Sequence, residues 1–278
     1  MRIAVIILHY GKLATTKHCL QELAKKIGDN RVILVNNTLD DCKGLTLVVP
    51  GTKLLSNPRN LGFATGVNKG LTLALQDPTI THFFLMNNDL ALSSGSFAQL
   101  GLTFSKFQTA GIVSPLLHHT QLYDWGGKYN KWTGMVKHKN WENKPKTTQS
   151  VAHVAGAAML ISREVIEKIG LFDERFFLYF EDLDYCLRAS SAGFSVHINP
   201  DVVGEHAVSA GSNVFSRTKH QWLSHFKFVT KHLFRLVYPT AYLFDLFIYP
   251  LWLVWSLLKG LTLKDEPNPS TAREGQTL

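Results

Sequence analysis

The stretch Phe83–Leu92, FFLMNNDLAL, runs four apolar residues together and then sets Asn87, Asn88 and Asp89 side by side before apolar character resumes. A short unbroken apolar run closed by turn formers is the pattern of a strand buried on both faces. The same pattern appears twice upstream. Ile3–Leu8, rich in β-branched residues, is followed by His9, Tyr10 and Gly11, and Arg31–Val35 is followed by Asn36 and Asn37. Between these two strands, Thr15 or Thr16 is placed to cap a helix through KHCLQELAKKI. Leu45–Val49 reads as a third strand, Leu61–Leu75 as a helix, Ser93–Phe107 as another, and Gly111–Ser114 as a short strand. Order returns at VAGAAMLISREVIEKIG, and Glu181–Ala192 reads as a helix leading to the strand FSVHI. Alternation of this kind predicts an α/β domain on a mostly parallel sheet flanked by helices. From His118 to Ser150 no period holds, so an excursion over the sheet is expected there.

In such sheets ligands bind beyond the carboxyl ends of the strands. A single Asn or Asp at a strand end is ordinarily a turn former. Three strands delivering polar groups to one rim is the coincidence that points to a site.

Composition limits what that site can be. The 278 residues are 45% hydrophobic and 18% charged, enough for a large core in one domain or one and a half. A net charge of +8 fits a polyanionic ligand, a nucleic acid or an acidic membrane surface. Cys19, Cys42 and Cys186 are scattered, which argues against a disulfide framework or a zinc site and for a reducing compartment. The opening MRIAVIILHYGK has too short an apolar run for a signal peptide and reads as the first core strand.

Past residue 215 the character changes. SRTKHQWLSHFKFVTKHLFRLV mixes basic and apolar residues at helical spacing, as interfacial helices do. LVYPTAYLFDLFIYPLWLVWSLLKG approaches the length of a membrane span but is interrupted by Pro239, Asp245 and Pro250. Residues 216–263 are therefore expected to lie on or dip into a membrane whose anionic lipids attract the basic flanks. The competing reading is a hydrophobic hairpin packed on the domain or on a second subunit, so a homo-oligomer stays open. The polar tail 264–278 reads as disordered.

VIILHYGK, ILVNNTLDD, NPRNLGFATGVNKGL, FFLMNNDLAL, VAGAAMLISREVIEKIGLFDERFFLYFEDLDYCLR and GEHAVSAGS resemble, in order and spacing, the family-2 glycosyltransferases, most of all their rhamnosyltransferase-type branch. The resemblance covers roughly residues 1–215. It implies a GT-A fold with a Rossmann-like nucleotide-sugar half (about 1–115) and an acceptor half (about 116–215). A dinucleotide dehydrogenase would show GxGxxG after its first strand, and this chain has none. The Gly-rich, Arg-containing loop of sugar nucleotidyltransferases is missing as well.

The resemblance also implies roles. Asp89 matches the last acid of a DxD-type motif that holds Mg²⁺ or Mn²⁺, and His206 matches a histidine that reaches the metal or diphosphate. Oxygen donors suit these ions, which often keep substrate phosphates and waters as further ligands. Asn87 stands where many relatives carry an acid, and Asn88 lies beside it on the donor side. Asp182 matches the proposed base, with Glu181 next to it; both sit at a helix start, which favours ionised carboxylates. Asp184 is a candidate orienter, with Arg188 one turn on as its partner. Asn37 and Asp40 are candidates to read the nucleobase edge, the backbone of His9 and Tyr10 to hold the base, and Arg59 and Asn60 to approach ribose or phosphate. Gly62 and Gly66 suit close backbone approach. On the acceptor side, Trp125 and Gly126 belong to an aromatic, glycine-rich segment with Gly127, Tyr129 and Trp132. Gly156 and Ala157 leave room for an incoming sugar.

The expected function is inverting, metal-dependent transfer from a nucleotide sugar, dTDP-rhamnose first and a UDP-sugar next, to a saccharide acceptor. That acceptor is expected to be lipid-linked, and the setting to be cell-surface polysaccharide synthesis at the cytoplasmic face of a bacterial inner membrane. Two rivals stand beside it. A catalytically silent nucleotide-sugar binder would tolerate loss of Asp182. A basic nucleic-acid-binding protein would need none of the acids, and the chain carries no nucleic-acid motif.

Overall fold

Alternation within Ile3–His9 (β1) decides how the layers stack. The computed structural model describes residues 1–119, 122–206, 214–233 and 238–243, together with 246, 247, 250, 251 and 254. In it, Ala4, Ile6 and Leu8 enter one core and Ile3, Val5 and Ile7 the other. After β1 come α1 (Leu13–Ala24), β2 (Arg31–Asn36), β3 (Lys53–Ser56), α2 (Phe63–Leu75), β4 (His82–Asn87), β5 (Leu90–Ser94) and α3 (Phe97–Lys106). The second half contributes β6 (Ala110–His119), β7 (Leu122–Tyr129), β8 (Val136–Trp141), β9 (Gln149–Val151), β10 (Ala158–Ser162), α4 (Arg163–Ile169), α5 (Glu181–Ser191), β11 (Ser195–His206) and α6 (Val214–His232).

The main sheet runs β3-β2-β1-β4-β10-β6-β11-β5. Its β3-to-β4 portion is parallel, as is the β6/β11 pair. Strand β10 runs against both neighbours and β5 against β11, so the sheet is more mixed than the alternation predicted. Helices α2, α4 and α5 cover one face and α1 and α3 the other. Phe83 and Phe84 point to opposite faces and are both fully buried, which is why FFLM reads as unbroken apolar sequence.

Three sequence expectations shift. Leu45–Val49 is no strand: Lys43–Leu47 forms a 3₁₀ turn, Leu45 and Val49 are buried four residues apart on one side, and Leu47 is exposed. The third strand is instead Lys53–Ser56, paired with β2. The segment after His118 is a β extension. β6 continues to His119 and pairs with β7, which pairs with β8, and a bulge between Asp124 and Gly127 breaks the alternation that would have shown the strand. Helix starts move too: Ser96 caps α3 through the Gln99 amide, and α1 begins at Leu13, leaving Thr16 buried rather than capping.

Helix α6 packs on the α/β domain. Phe228, Val229 and Leu233 join Phe176, Phe180 and Leu183 in a third core cluster, with Tyr129 and Val136 against it. Among the described residues no helix is long and apolar enough to cross a membrane. The tail 264–278 and most of the apolar stretch beyond 243 lie outside the described residues.

Candidate active site

Register brings the polar strand ends together. His9 pairs with Asn36, and Leu8 with Asn87, so the ends of β1, β2 and β4 share one rim. A cavity of about 300 Å³ opens beyond it. Tyr10, Asn37, Asn60, Asn87, Asn88 and Asp89 line it from the sheet side, and Phe177, Leu178, Ser216, Arg217 and His220 from the other. A cleft of about 320 Å³ at the opposite strand ends lies beside Arg31 and Asp77, which already pair with each other at 3.0 Å.

The amides on this rim are engaged in holding loops. Asn37 donates to Asn60 Oδ1 (3.0 Å) and the Gly62 carbonyl (3.1 Å), and its Oδ1 accepts from Asn57 Nδ2 and the Leu61 amide, both at 3.0 Å. All four positions of that amide are filled, so Asn37 fixes the 57–62 loop and has no donor or acceptor left for a base edge. Asn88 likewise donates to the Tyr10 carbonyl (2.9 Å) and to Thr16 Oγ1 (2.8 Å). The His9 side chain is buried between Thr16 Oγ1 (2.6 Å) and Asp40 (3.5 Å), and its carbonyl accepts from the Asn37 amide (3.0 Å). Asp40 and Arg59 lie outside the lining of this cavity; Tyr10 and Asn60 remain on it.

Gly62 has φ +84°, and a Cβ there would run into the Phe177 carbonyl. That carbonyl accepts the Phe63 amide at 2.7 Å, so the close approach at Gly62 is to the protein's own 171–180 segment.

The second centre is the start of α5. Tyr179 and Phe180 both hold left-handed backbone (φ 69° and 67°), a conformation costing about 1–3 kcal/mol per non-glycine residue. Phe180 is buried in the third cluster, which keeps it there. This turn sets Glu181 and Asp182 at the helix entrance. Asp182 Oδ2 accepts the Gly156 amide at 3.0 Å and Oδ1 its neighbour Leu183's at 2.7 Å, while His153 Nε2 stands 3.6 Å from Oδ2. Burial pushes this carboxyl up, but His153 and the two amides outweigh it and hold it down at about 2. Glu181 goes the other way: burial, and then the Asp182 charge, raise it well above the usual carboxylate range. Its Oε2 is buried without a hydrogen-bond partner. A cavity of about 170 Å³ adjoins the pair, lined by Met135, Val136, His153, Tyr179 and Gln221. Asp184, fully buried, takes Arg188 (2.9 Å) as the helical spacing predicts, and also Lys231 (2.6 Å) and His232 (2.7 Å) of α6.

The two centres are tied through the acceptor-side candidates. The Asn87 amide donates to the Ala157 carbonyl (2.9 Å), and the next amide back, Gly156, holds Asp182. Gly156 and Ala157 thus act as a backbone bridge. Trp125 packs against the main core, and Gly126 forms the β7 bulge, its amide on Asp124 Oδ1 at 2.8 Å; neither lines either cavity.

Asp89 and His206 meet because Leu90 pairs with His206 across β5 and β11. Asp89 Oδ1 and His206 Nε2 are 3.1 Å apart. Among the described residues no group of three or more His, Cys, Asp or Glu side chains is placed to hold an ion. As a two-donor site the pair fits an ion that keeps phosphate oxygens and waters for its remaining ligands.

Sequence reasoning missed His153, Phe177, Arg217, His220 and Gln221. The last three lie in the stretch whose basic and aromatic content drew a membrane reading, and His153 stands alone in an apolar context.

A family model described as glycosyltransferase like family 2 matches residues 1–239. The chain is 26% identical over 191 residues to the N-acetylglucosaminyl-diphospho-decaprenol L-rhamnosyltransferase of Mycobacterium tuberculosis, an alignment covering 58% of this chain and 61% of that protein. It is 23% identical over 205 residues to the dTDP-rhamnosyl transferase RfbF of Shigella flexneri, covering 74% and 68%. Among solved structures, GalNAc-T7 with UDP, GalNAc and Mn²⁺ superposes with TM-score 0.63 over 83% of this chain and 48% of its own, at 15% identity. S. aureus TarS does so with TM-score 0.54 over 85% and 41%, at 12% identity. These two likenesses concern the fold, which is the GT-A arrangement. With the family model spanning both cavities and helix α6, the chain belongs to glycosyltransferase-like family 2 and is similar to its rhamnosyltransferases.

Proposed function

We propose that the chain is an inverting glycosyltransferase that passes a sugar, with dTDP-rhamnose as donor ahead of a UDP-sugar, to a saccharide hydroxyl in cell-surface polysaccharide synthesis. The observation that carries this reading is the pair of neighbouring cavities separated by Phe177–Asp182, with an anchored, ionised carboxylate on the second. Two relatives support the sugar and the acceptor: a dTDP-rhamnosyl transferase, and an L-rhamnosyltransferase named for a diphospho-decaprenol-linked N-acetylglucosamine.

In the proposed reaction the donor occupies the larger cavity and the acceptor hydroxyl enters the smaller one. Asp182 accepts the hydroxyl proton while the oxygen forms its bond to the anomeric carbon. The bond from that carbon to the diphosphate oxygen breaks, and its electron pair leaves with the nucleoside diphosphate. Gly156, Leu183 and His153 keep Asp182 aimed and charged for that transfer. Burial, and then the Asp182 charge, favour the neutral form of Glu181, which leaves Asp182 as the charged carboxylate of the pair. Asp89 and His206 would hold Mg²⁺ or Mn²⁺, which neutralises charge on the departing diphosphate when bound.

Exposed Trp222, Leu223 and Phe226 on α6, with Leu243, Leu246, Phe247, Leu251 and Val254 beyond it, support contact with the cytoplasmic face of a bacterial inner membrane. The +8 charge favours an anionic surface.

The deciding experiment supplies dTDP-rhamnose or a UDP-sugar, Mn²⁺ and a diphospho-polyprenyl-linked saccharide. The expected result is sugar transfer with release of the nucleoside diphosphate, and a raised melting temperature with dTDP or UDP. No release with any donor and no thermal shift would overturn the reading.

A further inference from the structure

We infer that α6 forms the outer wall of the donor cavity and that its Arg217 is the protein cation that meets the nucleotide's diphosphate. The inference rests on the proposed nucleotide-sugar reading and adds a residue that reading does not require.

Charge on the cavity wall is the first argument. Among the described residues that line the cavity, apart from Arg217 and His220, the lining is amide, hydroxyl and apolar, with Asp89 as its one carboxylate. A nucleoside diphosphate brings several negative charges into that space, and together with the charge of Asp89 they exceed what one divalent ion held by Asp89 and His206 would balance. Burial, then Lys219 and Lys227, hold the His220 imidazole below its ordinary range, so Arg217 is the standing positive charge. Arg217 is half-buried and makes no ion pair or hydrogen bond with any described residue. A planar guanidinium with open donors matches phosphate oxygens in pairs.

Rigidity is the second argument. His220 stacks on Phe177 with ring centroids 4.5 Å apart, placing the first turns of α6 against the 171–180 segment. Further along, Ser224 donates to the Leu178 carbonyl (2.8 Å), and His225 Nε2 lies 2.7 Å from the Thr133 carbonyl. Lys231 and His232 close on Asp184. The helix that carries Arg217 is therefore fixed against the domain before any ligand arrives. One residue past His220, Gln221 lines the acid cavity, so one helix borders both halves of the centre.

The test is calorimetric titration of the full chain with dTDP and with thymidine, and in parallel UDP and uridine, each with Mg²⁺. In Arg217→Ala the diphosphate form is expected to bind about tenfold more weakly or worse, with nucleoside binding and melting temperature unchanged. Arg217→Lys is expected to fall between, and the salt dependence of dTDP binding to be shallower in Arg217→Ala. Equal dTDP affinity in parent and Arg217→Ala overturns the inference, and so does an equal loss for nucleoside and diphosphate, which would make Arg217 a wall residue only. A parent chain that binds neither dTDP nor UDP overturns the donor reading itself, a distinct result.

Discussion

The two sides of the centre use their polar groups differently. On the rim of β1, β2 and β4 the amides of Asn37 and Asn88 are taken up by neighbouring loops. At the start of α5, Glu181 keeps an orphaned oxygen, Asp182 sits beside it charged, and two residues hold left-handed backbone. The rim's side-chain amides hold neighbouring segments and so shape the cavity, although His9 Nε2 stays buried without a hydrogen-bond partner; the acid side carries the anchored, charged carboxylate on which the proposed reaction rests. A polar residue at a cavity is read from its partners as well as from its position.

The sharpest way to break this contrast is Asp182→Asn. Transfer is expected to fall about 10³-fold, the range of a lost general base, with little change in dTDP binding. Parent-like turnover would remove the base from Asp182. Next comes Asp184→Ala, which abandons Arg188, Lys231 and His232 together. Urea unfolding should show a loss of about 3 kcal/mol, as when one member of a buried ionic network is deleted. On the rim, Asn37→Ala leaves Asn57 and the Leu61 amide without their acceptor and should cost about 2 kcal/mol. If instead stability holds and only dTDP affinity drops, Asn37 is a reader after all.

The smallest effect concerns Glu181→Gln and has a definite sign. The folded chain keeps the Glu181 proton that the unfolded chain gives up near the usual carboxylate range. This contribution is complete below the unfolded value and is lost as pH rises toward the raised folded value. Glutamine is neutral throughout, so the variant's melting temperature should exceed the parent's at pH 8 and converge with it near pH 4. Asp182 behaves oppositely: its contribution is present above the unfolded value and disappears as pH falls toward about 2. Thermal melts across that range read both.

Much of the layering was legible because strand burial on two faces leaves an unbroken apolar run, as in Phe83–Met86 and Ile3–Leu8. Leu45–Val49 misled because two buried residues four apart inside a short apolar segment mimic a strand. The β7 strand was hidden by its bulge at Gly126, which shifts side-chain alternation by one residue. At the site, Asp182 and its Arg188-paired neighbour Asp184 could be placed from helical spacing and resemblance. His153 could not, because its partner lies 29 positions away and only the fold brings them together. Arg217 was concealed by composition: a helix with one outward apolar side and one cavity-facing cationic end reads, as a string, like a lipid-seeking segment.

The hydrogen atom that serves as the side chain of Gly62 also has a consequence for how this enzyme family member can change. Because the first turn of α2 touches the Phe177 carbonyl directly, backbone thickness sets how closely α2 approaches the 171–180 segment that separates the two cavities. In the proposed reaction, specificity would drift by exchanging residues such as Tyr10, Leu178 or Gln221 around the openings, while the separation of the two cavities stays constant.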